Sequence, residues 1–124
     1  MHARHHMDAY MHDCIDHCQA CQETCLDSIA HCLQVGGAHA DPRHIALLMA
    51  CSEICDTSAR FMLLGSPHHR RTCEVCAEVC EACAKDCERL SDDEVMEACA
   101  EICRRCAESC REMARVAHSP DHRS

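Results

Sequence analysis

The residues of this sequence that are best suited to carry out chemistry are its sixteen cysteines. The stretch that starts at Thr72 reads TCEVCAEVCEACAKDC and places cysteines at positions 73, 76, 80, 83 and 87. Residues three and four apart are neighbours on one face of an α-helix, and the intervening residues include neither Pro nor Gly. The stretch therefore predicts a helix with a row of thiols where an ordinary bundle would carry leucine.

Helix-ending and helix-starting residues divide the chain into four segments with this spacing. Glycines at positions 36, 37 and 65 are typical of helix ends. The Asp-Pro pair at 41–42 and the Ser-Pro pair at 66–67 are typical of helix starts. Ser91 together with Glu94 predicts a capping box for the last helix.

Four helices with short connections predict an all-α fold, an antiparallel up-down-up-down four-helix bundle with a cysteine-lined core. The length of 124 residues suits one domain. We expect a His-rich flexible N-terminus at 1–6, a bundle at 7–118 and a C-terminal tail at 119–124. The expected helices span about 7–35, 42–64, 67–90 and 92–118.

Antiparallel stacking places cysteines from all four helices at common levels along the bundle axis. One predicted layer contains Cys18, Cys55, Cys76 and Cys106. The next contains Cys21, Cys51, Cys80 and Cys103. On the second helix Leu48 and Ser58 interrupt the row of thiols, so these two positions supply no sulfur.

Composition excludes several classes of function. The formal charge of −9 argues against nucleic acid or an anionic membrane as partner, and the apolar runs are too short for a transmembrane helix. The first residues lack the apolar stretch of a secretory signal, so we expect a cytoplasmic protein with reduced thiols that serve as metal ligands rather than disulfides. No Ser–His–Asp or Cys–His set with an orienting third group stands out, so we expect no enzyme.

Charge favours Cu(I) among the thiophilic metals. Four Zn(II) ions, each held by four thiolates, would leave a large negative charge in a dry core, which is very costly. One Cu(I) per thiolate replaces the thiol proton and leaves the core charge unchanged. A sink for Zn, Cd or Hg stays open as an alternative function, and a thiol redox protein built on one CxxC pair is a further one.

The repeated CxxxC and CxxC rows on four helices resemble those of the bacterial copper storage protein family, in its cytosolic branch. The resemblance covers the chain from Met7 to His118. It implies that Cu(I) is stored on inward-facing thiolates, with many ions in each subunit. The implied ligands are Cys14, Cys18, Cys21, Cys25, Cys32, Cys51, Cys55, Cys73, Cys76, Cys80, Cys83, Cys87, Cys99, Cys103, Cys106 and Cys110.

The same resemblance implies a homotetramer, with copper chaperones as candidate partners. Apolar residues that lean outward, such as Leu26, Val75 and Val79, fit two interpretations. They either cover the flanks of the core or form a subunit interface.

Methionines and histidines are expected at the ends of the row of thiols. One end collects thioethers and an imidazole, which bind Cu(I) weakly enough to admit it and pass it inward. We call this end the mouth, and its possible ligands are Met7, Met11, Met62, His69 and Met113. The opposite end, with Leu48, Leu90 and Met96, is expected to act as a plug, and His44 at that end is a possible additional ligand.

Overall fold

The structure, a computed structural model, describes residues 9–90 and 92–116. It contains four α-helices in these ranges: α1 (Ala9–Val35), α2 (Pro42–Leu63), α3 (His69–Glu88) and α4 (Glu94–Val116), with a short 3₁₀ helix (Gly37–Ala40) after α1. The expected all-α four-helix bundle is confirmed. The predicted flexible N-terminus at 1–6 and the tail at 119–124 lie outside the described residues. Along the described chain no helix has an apolar stretch long enough to cross a bilayer.

The helices form a four-sided bundle. Helices α1 and α2, α2 and α3, α3 and α4, and α4 and α1 pack side by side, so each helix has two neighbours and faces the remaining helix across the core. The connections at 36–41, 64–68 and 89–93 are short, as expected for antiparallel neighbours. All four cysteine-bearing faces therefore point at one axis.

The junction between α1 and α2 is defined by local backbone chemistry. The Gly36 amide donates to the Cys32 carbonyl (3.0 Å), and Gly36 has a φ of 78°, a conformation that favours glycine. The Asp41 side chain accepts a hydrogen bond from the Arg43 amide (3.3 Å), and Pro42 occupies the first helical position. These two caps fix where the thiol row of α1 ends and that of α2 begins.

Helix α2 ends in a Schellman motif. The Ser66 amide donates to the Phe61 carbonyl (3.0 Å) and the Gly65 amide to the Met62 carbonyl (3.1 Å). Gly65 has a φ of 67°, which a residue with a Cβ adopts only at a cost. This turn places the start of α3 beside the end of α2.

Helix α3 begins two residues later than the sequence predicts, at His69. Ser66 is the reason, because its hydroxyl accepts a hydrogen bond from the His68 amide (3.1 Å) and its carbonyl accepts one from His69 (3.2 Å). The two bonds hold a turn ahead of the helix. The Ser-Pro pair, from which the start at Pro67 was predicted, does not reveal this turn.

Helix α4 also begins two residues later than predicted, at Glu94. Its N-cap is Asp93, whose Oδ1 accepts the Val95 amide (2.8 Å) and whose carbonyl accepts the Glu97 amide (3.0 Å). The predicted capping box needed Ser91, which lies outside the described residues.

The core is built mainly of sulfur. All sixteen cysteines are at most 1% exposed, whereas the two aromatic residues stay out of the core, since Tyr10 is exposed and Phe61 half-buried. Small alanines on the buried faces let the helices approach closely. The other buried apolar residues are Ile15, Leu48, Ala59, Met62, Ala77, Ala84, Met96, Ala100, Ala107 and Met113.

We predict that the reduced, metal-free protein is a folded bundle. Neutral thiols pack as small apolar groups, and the helix caps at Asp41 and Asp93 need no metal, in contrast to zinc fingers, which are unfolded without their ion. Far-UV circular dichroism of the apo-protein should show high helix content. A random-coil spectrum that becomes helical only after metal is added would contradict this prediction.

Candidate metal-binding core

The structure places all sixteen predicted thiols in one buried column. Each is a free thiol, and α1 and α3 contribute five each, α4 four and α2 two. Because the cysteines follow the three-and-four spacing of one helix face, every thiol of a helix points the same way. The column therefore runs along the bundle axis without a charged side chain between its members.

The two predicted layers are confirmed by sulfur–sulfur distances. In the layer that contains Cys21, the sulfur of Cys21 lies 3.8 Å from that of Cys51 and 3.7 Å from that of Cys103. The Cys51 sulfur lies 3.6 Å from that of Cys80 and 4.0 Å from that of Cys103. Four helices thus bring one sulfur each to the same level.

The neighbouring layer has the same geometry. The Cys18 and Cys106 sulfurs are 3.7 Å apart, and the Cys55 sulfur lies 3.7 Å from that of Cys76 and 3.8 Å from that of Cys106. Cys55 also approaches Cys80, which belongs to the layer of Cys21, with 3.5 Å between their sulfurs. Distances between layers are therefore no longer than distances within them.

Shared sulfurs join the layers into a chain of possible metal sites. Four groups of thiols have all their sulfur atoms within 4.8 Å of one another. They are Cys14/Cys73/Cys110, Cys18/Cys76/Cys106/Cys110, Cys21/Cys55/Cys80/Cys106 and Cys21/Cys25/Cys51/Cys103. Cys110, Cys106 and Cys21 each belong to two groups, so an ion at one group shares a ligand with the next. The column suits a continuous cluster better than separate sites.

Sulfur spacing alone does not select the metal. A tetrahedral zinc site with Zn–S bonds of about 2.3 Å has sulfurs about 3.8 Å apart, and this separation lies within the observed range of 3.5 to 4.0 Å. Selection must come from charge. Buried thiolates are stable only when each negative charge is compensated.

The pKa shifts of neighbouring thiols illustrate the need for charge compensation. Hydrogen bonds from Cys103 and Cys21 lower the pKa of Cys51, while the contacts of Cys103, first with Cys21, raise the pKa of Cys103. A thiolate is thus stabilised by neighbours that keep their protons. The column can lose all its protons only if cations replace them.

A second kind of donor meets the column at the end nearest the 3₁₀ helix. The Cys32 sulfur lies 3.4 Å from His44 Nε2 and 3.7 Å from the Met96 sulfur. His44 Nδ1 lies 2.6 Å from Asp86 Oδ2, and Asp86 also pairs with Arg89 (2.6 Å). Partial burial alone would raise the pKa of Asp86, but the hydrogen bond from His44 and the pairing with Arg89 lower it. The ionised carboxylate accepts a hydrogen bond from Nδ1–H, and in the neutral ring this tautomer leaves the Nε2 lone pair toward Cys32.

Cys32, His44 and Asp86 correct the sequence analysis, which found no Cys–His pair with an orienting third group. The set was missed because its members come from α1, α2 and α3, and only the position of His44 on a buried face hinted at it. It is poorly suited to nucleophilic chemistry, since burial, followed by the charge of Asp93, raises the pKa of Cys32 to about 11. An imidazole oriented by a carboxylate is instead the usual arrangement of a metal-binding histidine.

Most of the residues predicted at the mouth lie at the end of the bundle that is away from Cys32 and His44. Met62 and Met113 are buried, Met11 is half-buried against the core, and Met7 lies outside the described residues. Of the described mouth thioethers, those of Met62 and Met113 are thus buried and that of Met11 is partly exposed.

The imidazole of His69 carries a buried nitrogen that has no hydrogen-bond partner among the described residues. It is 7% exposed and lies one turn before Cys73 on the same face of α3. Its Nδ1 donates to the Ser66 carbonyl (2.8 Å), so Nε2 carries the lone pair of the neutral ring. Nε2 has no hydrogen-bond partner within the part of the chain that the structure describes, an unusual state for a buried polar atom.

Comparison with known proteins identifies relatives of this arrangement. A family model described as copper storage protein matches residues 7–115. Among solved structures, a protein from Nitrosospira multiformis is 48% identical, with a TM-score of 0.83 over 89% of this chain and 99% of that chain.

Two further solved structures contain copper according to their descriptions. Cu(I)-bound copper storage protein BsCsp3, from Bacillus subtilis, is 35% identical, with a TM-score of 0.79 over 85% of this chain and 98% of that chain. A cytosolic copper storage protein from Streptomyces lividans, with five coppers, is 30% identical, with a TM-score of 0.78 over 85% of this chain and 92% of that chain.

We predict that the native, metal-free protein reacts slowly with a charged aromatic disulfide reagent, because every thiol is buried. In denaturant all sixteen thiols should react. Val75→Cys is the matched control, since it adds a thiol at an exposed position of α3, and it should give one fast equivalent. Rapid reaction of several thiols in the native wild-type protein would contradict the buried column.

Proposed function

The chain belongs to the copper storage protein family, and from this premise we propose that its sixteen core thiols are the ligands of the stored Cu(I). The protein stores copper, and its core has thiol groups for multiple Cu(I) ions. The proposed ligands are Cys14, Cys18, Cys21, Cys25, Cys32, Cys51, Cys55, Cys73, Cys76, Cys80, Cys83, Cys87, Cys99, Cys103, Cys106 and Cys110.

The observation that supports the ligand set most strongly is the shared-sulfur chain. Cys21, Cys106 and Cys110 each take part in two groups of mutually close thiols, so ions in successive groups can be bridged by one thiolate. A store of many ions in a small volume needs such bridging, because sixteen thiols cannot supply separate complete ligand sets for many ions. Thiolates are also the soft ligands that Cu(I) prefers.

Charge supports a monovalent cargo. Each Cu(I) that replaces a thiol proton leaves the net charge of the core unchanged, whereas Zn(II) shared by four thiolates leaves two negative charges per ion. Those charges would lie among side chains that are at most 1% exposed, where uncompensated charge is strongly destabilising. Zn, Cd or Hg storage is thereby disfavoured as the main function.

A thiol redox function is the less favoured alternative. Redox cysteines need an accessible thiol with a lowered pKa. Cys32, whose sulfur lies 3.4 Å from His44 Nε2, is fully buried, and its pKa is raised to about 11. The protein is therefore proposed to be a reservoir rather than an enzyme.

His44, with Met96, is proposed to complete a Cu(I) site on Cys32. The His44 nitrogen and the Met96 sulfur already lie within 3.7 Å of Cys32 Sγ. The three donor atoms are thus a thiolate, an imidazole nitrogen and a thioether, all suited to Cu(I). Asp86 holds the imidazole with Nε2 toward the column. The end that the sequence analysis described as a plug thus carries donors of its own.

The mouth is proposed to lie at the methionine end, with Met7, Met11, Met62, His69 and Met113 as its ligands. Among the described residues His69 Nε2 has no hydrogen-bond partner, and this buried nitrogen at the end of the column supports the proposed direction. At the opposite end the His44 imidazole is already engaged by Asp86 and Cys32. Thioethers bind Cu(I) without losing a proton, so they can pass an ion to the thiols beyond.

Assembly and location follow the relatives as proposals. A homotetramer is supported by exposed apolar side chains on α1 and α2, since such surfaces mark interfaces. The most exposed of them are Tyr10, Leu33, Val35 and Met49. Cytoplasmic storage is supported by the Streptomyces lividans relative, which is described as cytosolic. Copper chaperones are proposed partners for delivery and removal.

Anaerobic titration tests the ligand set. Reduced wild-type protein should bind Cu(I) on the order of one ion per thiol, and Zn(II) should saturate at far fewer ions. The Cys51→Ser/Cys55→Ser double variant should lose about two Cu(I) ions. Ser28→Ala, a buried position on the same kind of face without a thiol, is the control and should keep full capacity. Saturation of the wild type at a few Cu(I) ions, with tighter Zn(II) binding, would overturn the proposal.

Loading kinetics test the mouth. Replacing Met7, Met11, Met62 and Met113 with Leu should slow both Cu(I) uptake and removal by a chelator, with capacity nearly unchanged, because Leu keeps the volume but removes the thioether. Met96→Leu is the matched control at the opposite end and should load at the wild-type rate. Normal loading of the quadruple variant, together with slow loading of Met96→Leu or His44→Ala, would place the mouth at the other end.

A further inference from the structure

A cluster of three polar side chains lies outside the sulfur column, where α1, the 3₁₀ helix and α4 meet. His31 is near the end of α1, His39 is in the 3₁₀ helix and Asp93 caps α4. Asp93 Oδ2 lies 2.6 Å from His31 Nε2 and 3.0 Å from His39 Nε2. We propose that these three residues bind one divalent transition-metal ion, at a site separate from the copper store.

Both histidine nitrogens lie close to Asp93 Oδ2, near the spacing that such an ion needs, and all three donor atoms lie within 4.8 Å of one another. When an ion forms bonds of about 2.0–2.2 Å to nitrogen and oxygen, with bond angles between the octahedral and tetrahedral values, any two neighbouring donor atoms lie about 2.9–3.4 Å apart. The pair formed by His39 and Asp93 already has this separation. The His31 ring must withdraw by a few tenths of an ångström, which its partly exposed position allows, since 29% of its side chain is accessible.

The ligand set indicates a divalent rather than a cuprous ion. Two imidazoles and one carboxylate form a set typical of Zn(II), Ni(II) and Fe(II), and harder oxygen donors are disfavoured by Cu(I). Thiolates, the donors that Cu(I) prefers, lie in the buried column, and Cys32, next to His31 in the chain, is fully buried. The two metal classes are thereby separated by the face of α1 that each donor occupies.

The two oxygens of the Asp93 carboxylate have separate roles, one in capping α4 and one in contacting the histidines. Oδ1 accepts the Val95 amide at the start of α4, while Oδ2 faces the two imidazoles. An ion bound at Oδ2 therefore leaves the helix cap intact. The hydrogen bond from His31, together with that from the Val95 amide, lowers the pKa of Asp93 to about 2, so the carboxylate carries its charge at neutral pH.

Occupancy would join three segments at one end of the bundle. The ion would replace the two hydrogen bonds to Asp93 Oδ2 with three coordinate bonds that link α1, the 3₁₀ helix and α4. Each Nε2 proton would move to Nδ1 of the same ring through solvent, or be released to solvent if the ring was protonated. The open positions of a partly exposed three-ligand site are filled by water. The formal charge of −9 on the chain favours the approach of a divalent cation.

Zn(II) binding to the Cu(I)-saturated protein tests the proposal, since the thiolates are then occupied. Under anaerobic conditions, equilibrium dialysis followed by elemental analysis should show one more Zn(II) per chain in the wild type than in His31→Gln/His39→Gln. Asp93→Asn should lose the same equivalent, although Asn remains a good N-cap. In nuclear magnetic resonance spectra, the imidazole signals of His31 and His39 should shift when Zn(II) is added.

His17→Gln is the matched control. His17 is a half-buried histidine of α1 that contacts Ser109 instead of the cluster, so its loss should leave the Zn(II) count at the wild-type value. Zn(II) taken up by other histidines is common to all variants and cancels from the comparison. Circular dichroism and Cu(I) capacity of each variant, both expected at wild-type values, show that the fold and the store are intact. Equal Zn(II) counts in wild type, His31→Gln/His39→Gln and Asp93→Asn would overturn the proposal and leave the cluster as a hydrogen-bonded joint.

Discussion

Charge compensation in a dry sulfur core is the constraint on which the rest of the structure depends. Sixteen thiols lie within a column that solvent does not reach, and an isolated thiolate there would be strongly destabilised. A proton or a monovalent cation on each sulfur satisfies the constraint equally well. The same helix packing can therefore serve the empty and the filled protein, so copper can be loaded without refolding the bundle.

This core places unusual demands on the helix ends. Thiols are small and bury less apolar surface than leucine or phenylalanine, and the described aromatic side chains stay outside the core. Local caps must then fix the helix boundaries and, with them, the level of each thiol. The Asp41 cap, the Schellman motif at Gly65 and the Asp93 cap supply that definition. A shift of one residue would rotate a helix by about 100° and carry its thiols off the axis.

Features that follow from helical periodicity and antiparallel stacking were predictable from the sequence, and hydrogen bonds between polar side chains of separate elements were not. The spacing around Cys73 and Cys80 gave the buried faces and the layers, because helical periodicity is local. The start of α3 was wrong by two residues because Ser66 holds a turn that the Ser-Pro pair does not reveal. The sets at His44 and at Asp93 were missed because each draws its members from three separate elements.

The two missed sets show how one fold separates donors by their chemistry. Within α1, Cys32 faces the column and His31, its neighbour in sequence, faces outward, so one turn of helix presents sulfur inside and nitrogen outside. Both histidine clusters rely on a carboxylate, Asp86 or Asp93, which fixes the ring that it touches. Neither carboxylate contributes an atom to the sulfur column. The separation of sulfur from carboxylate donors at this end of the bundle thus follows from which face of a helix a residue occupies, and that in turn follows from its position in the three-and-four repeat.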